Sequence, residues 1–225
     1  MPATRRRRLL LAAGLALPAW AGAATAVTPR RVIATMTEGP FYPAAGWRAR
    51  NAVNREDWDA DLTRVRQGGQ VLQARGEVLG LQLRVVDREG RVIDGCEVEI
   101  WQCDALRAYR HPSVAAEPGR YDPGFQGFGA ARGNRDGEVA FRTIRPVPYP
   151  GRTPHIHVKL RHASFGDVTS QLFVDGEVGN ARDFLWRQLD PGEREALAMR
   201  LQPVAAGGSD GGLRWQVQQT LTLPA

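Results

Sequence analysis

The chain has 225 residues, 43% of them hydrophobic, which is enough for one domain with a sizeable core and leaves little for a second. Four of its positive charges are Arg5, Arg6, Arg7 and Arg8; setting them aside takes the formal net charge from +6 to +2. A near-neutral remainder gives bulk electrostatics no hold on DNA or RNA, so no nucleic-acid partner is expected.

Those arginines directly precede the apolar run from Leu9 to Trp20, and the small-residue stretches Ala19-Trp20-Ala21 and Ala24-Thr25-Ala26 follow. This is the layout of an export signal over residues 1–26, implying a periplasmic or secreted destination. The arginine run suits the twin-arginine and the general secretory routes alike. The apolar run is shorter than the roughly 20 residues of a spanning helix and no second one follows, so the chain is not expected to be membrane-embedded.

Residues 27–70, which include Thr37-Glu38-Gly39-Pro40-Phe41-Tyr42-Pro43, are too rich in Gly, Pro and charge for regular structure and read as an arm covering a core. Residues 71–225 read as the catalytic domain. Short apolar or alternating runs follow one another there: Val71–Leu79, Leu81–Asp87, Val98–Gln102, Glu138–Ile144, His155–Leu160, Val168–Asp175 and Leu213–Leu223. Turn pairs such as Asp94-Gly95 and Asp136-Gly137 separate them, which predicts an all-β fold with a β-sandwich core and long loops. Between Asn180 and Met199, apolar residues among charges predict one or two short peripheral helices broken around Asp190-Pro191-Gly192. The segment from Asp104 to Arg135 is expected to be a functional loop walling a site. Cys96 and Cys103 are seven residues apart on one predicted strand, roughly 23 Å, so no disulfide joins them.

Two of the four histidines form His155-Ile156-His157. On a strand, side chains at i and i+2 share a face, so one cation could take a nitrogen from each while Ile156 enters the opposite layer. Just upstream, prolines at 148, 150 and 154 hold Tyr149 in a stiff turn. Two imidazoles alone suit zinc, copper or nickel; a tyrosinate beside them is a hard anionic oxygen donor that favours high-valent iron.

These residues resemble those of the intradiol ring-cleavage dioxygenases, the family of protocatechuate 3,4- and catechol 1,2-dioxygenases. The resemblance runs from Thr37-Glu38-Gly39-Pro40 through Asp94-Gly95-Cys96-Glu97-Val98-Glu99-Ile100-Trp101-Gln102 to Ser170-Gln171-Leu172-Phe173. Its most specific part is Phe141-Arg142-Thr143-Ile144-Arg145-Pro146 with Tyr149-Pro150-Gly151-Arg152 and His155-Ile156-His157. It implies an Fe(3+) centre held by Tyr109, Tyr149, His155 and His157, and a catechol-type substrate opened by O2 between its hydroxylated carbons to a cis,cis-muconate-type diacid. It further implies that Tyr149 leaves the metal and takes up a proton as substrate binds, that Arg152 stabilises charge on the ring, and that Gln171 supports Arg152. Without the resemblance nothing selects Tyr109 over Tyr121.

Two departures stand out. The stretch between Tyr149 and His155 is short and carries Gly151 where a tryptophan is expected, so aromatic packing on the substrate should come from Tyr42, Tyr121 or Phe125. The long helical amino-terminal region of catechol dioxygenases is missing, leaving both monomer and homo-oligomer open. The competing reading is a non-catalytic transthyretin-like binding module of the cell envelope; a third is a copper or zinc site on the two histidines alone.

Overall fold

A computed structural model describes residues 29–52, 57–113, 119–205 and 212–225. The elements are α1 (Ala45–Asn51), β1 (Arg64–Gln67), β2 (Gln70–Gln73), β3 (Val78–Val86), β4 (Glu97–Trp101), β5 (Phe128–Arg132), β6 (Glu138–Ile144), β7 (His155–His162), β8 (Gly166–Val174), α2 (Phe184–Gln188), α3 (Pro191–Leu197), β9 (Ala198–Met199), β10 (Gln202–Pro203) and β11 (Trp215–Thr222). Two sheets face each other: a four-stranded one in the order β10-β11-β3-β6, and a five-stranded one in the order β5-β4-β7-β8-β9. The pairings β11–β3 and β8–β9 are parallel.

Alternation fills the space between the sheets. Leu79, Leu81, Leu83 and Val85 of β3 point inward against Val98 and Ile100 of β4 and Ile156, Val158 and Leu160 of β7. Each fully buried aliphatic side chain contributes about 1.5–3 kcal/mol relative to exposure, so this layer carries the fold. The other face of the five-stranded sheet is also covered. Trp101, His157 and Gln171 stand there in one cross-strand row, with His155 paired to Phe173 beside it.

The cover is the segment that precedes β1. Ile33 enters the core, and Met36 N–H donates to Thr169 O (2.8 Å), which fastens the chain along β8. Lys159 Nζ donates to Glu38 (2.8 Å) and Tyr42 Oη to Glu99 (2.8 Å), so a cation and a carboxylate on the sheet's outer face anchor the Thr37–Tyr42 stretch. Further on, α1 sets Arg48 over the Phe128 ring, 3.9 Å from its centroid.

Several elements differ from the sequence expectation. The Gly- and Pro-rich arm contains α1, and β1 with β2 forms a separate two-stranded sheet. The apolar run 71–79 is cut in two, because Gly76 at φ +102 turns the chain between β2 and β3. The expected loop from 104 to 135 contains β5, which pairs with β4 along its whole length. The two predicted helices are α2 and α3, the latter with a capping box between Asp190 and Glu193 and with Pro191 in its first turn. A 3₁₀ turn, Val178–Arg182, precedes them. Cys96 and Cys103 are free and buried, and burial pushes their thiols up to about 11 and about 12. Among the described residues no helix is long and apolar enough to cross a membrane. The expected export signal, residues 1–26, lies outside the described residues.

Candidate functional site

Strand β7 supplies the first two donors. His155 and His157 share the outer face, each 2% exposed, while Ile156 between them is fully buried in the inter-sheet core. His155 Nδ1 lies 2.7 Å from Thr153 O; since a carbonyl can only accept, Nδ1 carries the proton and Nε2 keeps its lone pair. That Nε2 is 3.3 Å from His157 Nε2.

The third donor comes from the loop after β4. Asp104 accepts from the backbone N–H of Leu106 (2.8 Å) and Ala108 (2.9 Å), and of Asp122 (2.5 Å) across the loop, so one buried carboxylate fixes the stretch that carries Tyr109. Tyr109 Oη ends 3.4 Å from His155 Nε2 and 3.2 Å from His157 Nε2. The centre of a triangle with such edges lies about 1.9 Å from each corner, close to the length of a metal–nitrogen or metal–oxygen bond.

Tyr149 completes the cluster from the opposite loop. Arg152 N–H donates to Tyr149 O (2.9 Å) across a turn with Pro150 and Gly151 at its centre. Gly151 sits at φ +83 with open space where a Cβ would project, so the position expected to hold a tryptophan has the backbone of a glycine turn. The Tyr149 ring meets Tyr109 edge-on (5.6 Å between centroids) and tilts against His155 (5.5 Å). All four predicted donors therefore lie together.

Burial sets their protonation. Desolvation, followed by the charge of Arg152, lowers His155 to about 4. His157 falls well below its ordinary value through burial, then His155 and Arg152. Burial, followed by the neighbouring Tyr149, raises the Tyr109 phenol well above its usual range. The imidazoles are thus neutral at neutral pH, as ligation requires, and only a cation in the triangle would make Tyr109 a phenolate. Buried polar atoms without partners point the same way: Trp101 Nε1, His157 Nδ1 and Gln171 Nε2 all belong to the one cross-strand row. Among the described residues no group of three His, Cys, Asp or Glu could hold a metal, so the candidate donor set is two imidazoles and two phenols.

Arg152 is held from two sides. Its Nε donates to Asp183 (2.8 Å) and its Nη2 to Gln171 Oε1 (2.5 Å). Asp183 also accepts from Thr153 N–H (3.0 Å) and, with its other oxygen, caps α2 through Leu185 (3.0 Å) and Trp186 (3.1 Å). Sequence reasoning missed Asp183 and Asp104. Asp183 carries an N-cap signal, an aspartate directly before an apolar helix, but nothing in the chain reveals that its second oxygen reaches Arg152.

The aromatic wall also differs from expectation. Phe41 stacks on Tyr109 (4.6 Å, 15°), and Trp101 stacks on His157 (4.6 Å, 12°). Tyr42 packs against Trp101 (5.0 Å) with its hydroxyl on Glu99. Phe125 belongs to the inter-sheet core, and Tyr121 makes no ring contact with the cluster among the described residues. Gly39, at φ +74, brings the arm alongside His157: a Cβ there would lie 3.6 Å from its Cε1.

Sandwich and site together define a class, a β-sandwich whose buried His/Tyr cluster has the donor chemistry of a non-haem metalloenzyme. The dioxygenase family model matches residues 49–217. The chain is 32% identical over 151 residues to the protocatechuate 3,4-dioxygenase beta chain of Burkholderia cepacia, covering 63% of each. With catechol 1,2-dioxygenase 1 of Acinetobacter lwoffii it shares 25% over 207 residues, 83% of this chain and 57% of that one. The chain thus spans less than two thirds of the length of these relatives. Among solved structures, the dioxygenase domain of a carbohydrate-binding fusion from Streptomyces sp. SirexAA-E matches with TM-score 0.59 and 25% identity, covering 86% of this chain and 98% of that one. An intradiol ring-cleavage dioxygenase from Tetranychus urticae matches in fold with TM-score 0.61 at 20% identity, over 86% and 95%. The chain belongs to the intradiol ring-cleavage dioxygenase family. The transthyretin-like reading is not favoured.

Proposed function

We propose that this chain is an exported dioxygenase that opens a catechol-type ring between its two hydroxylated carbons, adding both atoms of O2 to give a cis,cis-muconate-type diacid. The observation that carries the reading is the triangle of Tyr109 Oη, His155 Nε2 and His157 Nε2, with edges of 3.2–3.4 Å, and Tyr149 beside it. Tyr109, Tyr149, His155 and His157 are the proposed ligands of Fe(3+). When bound, the ferric ion supplies Lewis acidity, drawing electron density from the catechol ring and preparing it for O2.

The side chains divide the remaining work. The two imidazoles hold the ion as neutral donors, and Thr153 O locks the His155 tautomer. Tyr149, less buried than Tyr109, is the proton acceptor at its Oη when catechol binds. Arg152 supplies a permanent cation against charge developing on the ring, and Asp183 and Gln171 keep that guanidinium from swinging away. Trp101 and Phe41 exclude water from the donors by covering His157 and Tyr109. The names of the relatives support the substrate class: protocatechuate, catechol and hydroxyquinol all carry vicinal hydroxyls on a ring. The periplasmic or secreted location rests on residues 1–26, and cell fractionation checks it.

A visible absorption spectrum with iron analysis, before and after catechol is added without oxygen, tests the proposal. A red-purple band that shifts with catechol is the expected result; a colourless protein that resists iron loading overturns it.

A further inference from the structure

Between the guanidinium of Arg152 and the imidazole of His155 stands Thr153, a residue 3% exposed that is itself neither metal donor nor cation. The ladder between β7 and β8 begins only at His155, opposite Phe173, so the sheet sets the His155 backbone and leaves Thr153 outside it. What the ladder cannot set is the rotation of the His155 ring, and that depends on the Thr153 carbonyl, 2.7 Å from Nδ1. Gly151, at φ +83, turns the chain two residues earlier, and Pro154 follows with no N–H to offer. Holding the Thr153 carbonyl in place therefore falls to another part of the chain.

That part is the 3₁₀ turn Val178–Arg182 with Asp183 directly after it. The Thr153 N–H donates to Asp183 Oδ2 (3.0 Å), the same oxygen that takes Arg152 Nε (2.8 Å). The Thr153 hydroxyl donates to Asn180 Oδ1 (2.8 Å). Asn180 is 5% exposed, and its Nδ2 donates to Val174 O (2.9 Å), which fixes the amide with its oxygen toward Thr153. The Asp183 N–H lies on the carbonyls of Gly179 and Asn180 (3.2 Å each), so both acceptors belong to one turn. Gly179 allows the close approach: a Cβ there would lie 2.8 Å from Thr153 Oγ1. Two polar groups of Thr153 thus grip the turn, and the third orients a proposed metal ligand.

We infer that Asn180, acting through the Thr153 hydroxyl, is a positioning residue that holds His155 in the tautomer with Nε2 free for a metal, an inference that rests on the donor set proposed above. Asp183 alone gives Thr153 one anchor, about which the residue can pivot. The second anchor at Oγ1 removes that freedom and aims the carbonyl at Nδ1.

The test reads the tautomer directly, by long-range ¹H–¹⁵N correlation on the metal-free full chain with ¹⁵N-labelled histidine at neutral pH, and measures iron affinity by competition with a chelator. Wild-type His155 should carry its proton on Nδ1. Thr153→Val, which keeps the branched shape and removes the hydroxyl, and Asn180→Leu should each bring up the Nε2-protonated form. Both should weaken iron binding by about 10- to 100-fold, the usual effect of losing a partner that orients a ligand. Thr153→Ser keeps the hydroxyl and should retain both wild-type readouts. Combining Thr153→Val with Asn180→Leu strands neither half of the buried pair, which protects the fold, yet tautomer and iron affinity should stay impaired. This double variant decides the matter if Thr153→Val does not fold. A wild-type His155 protonated on Nε2, a double variant with wild-type tautomer and iron affinity, or a Thr153→Ser protein as impaired as Thr153→Val overturns the role of Asn180. If the wild type takes up no iron, the donor-set reading fails instead and the tautomer decides alone: Nδ1 protonation lost in Thr153→Val and Asn180→Leu supports the positioning role, and protonation retained in both overturns it.

Discussion

The two sheets of this sandwich have the same inner face and opposite outer ones. In β3 of the four-stranded sheet, inward leucines alternate with glutamine, arginine and glycine on the open side, where the Gln82 side-chain oxygen accepts from Gln218 Nε2 in a surface pair. In β7 of the five-stranded sheet the first four residues are all buried, because the arm and the loops carrying Tyr109 and Tyr149 cover the outer face. A sheet with one wet face needs only alternation. A sheet buried on both faces can hold neutral imidazoles, a protonated phenol and orphaned donors in a dry layer, and that is where the proposed metal chemistry sits. Covering the second face converts a structural sheet into a reactive one.

Substitutions on β7 separate these roles most sharply. His157→Ala removes one corner of the donor triangle from the outer face. We expect loss of the red-purple band, of iron and of ring cleavage, with the fold retained by circular dichroism. Ile156→Ala, one residue away on the inner face, should do the reverse: about 2–5 kcal/mol less stable in urea titration through the cavity it leaves, with the donor band kept in the folded fraction. If His157→Ala unfolds the chain, or Ile156→Ala bleaches it, the two faces do not divide the work.

The arrangement that produces this division was partly legible in the chain. Alternation and turn pairs fix the strands of the inner layer, with Glu138–Ile144 matching β6 end to end, because period-two patterning depends only on neighbours in sequence. His155 and His157 share a face for the same reason. Phe41 over Tyr109, Asp183 behind Arg152 and the strand β5 inside a presumed loop were not legible. Each depends on contacts between residues far apart in the chain, and a short run such as Phe128–Arg132, with Gly and two alanines, has no periodicity of its own. Tyr109 came only from family resemblance; in the fold, Asp104 is what singles it out, by pinning the loop that carries it.

Behind the outer face, Asp183 joins Arg152 to the start of α2, and its charge can be tuned by pH. Burial alone would raise its carboxyl, but hydrogen bonds from Arg152, Thr153 and Trp186 outweigh burial and hold it below the usual carboxylate value. A carboxylate depressed in the folded state adds stability above its unfolded pKa of about 3.9, and that stability is lost as pH falls through the lower folded value. Acid titration of the wild type should therefore show a loss of stability below about pH 4 that is shallower in Asp183→Asn. The variant should also lower kcat by about 10- to 100-fold, the usual effect of removing a partner that orients a functional side chain, with Arg152 no longer restrained. Equal acid slopes in both proteins would mean that the ion pair does not fasten the cover.

The smallest effect is expected on the open face. Gln82 and Gln218 bond to each other across β3 and β11 at 2.9 Å, in contact with solvent that can replace either partner. Replacing Gln82 by Ala should shift stability by no more than about 0.5 kcal/mol and leave iron content and ring cleavage at wild-type levels. The contrast between a covered reactive sheet and an uncovered structural one needs this near-silence as much as the loss at His157. A substantial drop in activity from Gln82→Ala would mean that the two sheets communicate through the aliphatic layer, and that the outer face of the four-stranded sheet belongs to the working surface after all.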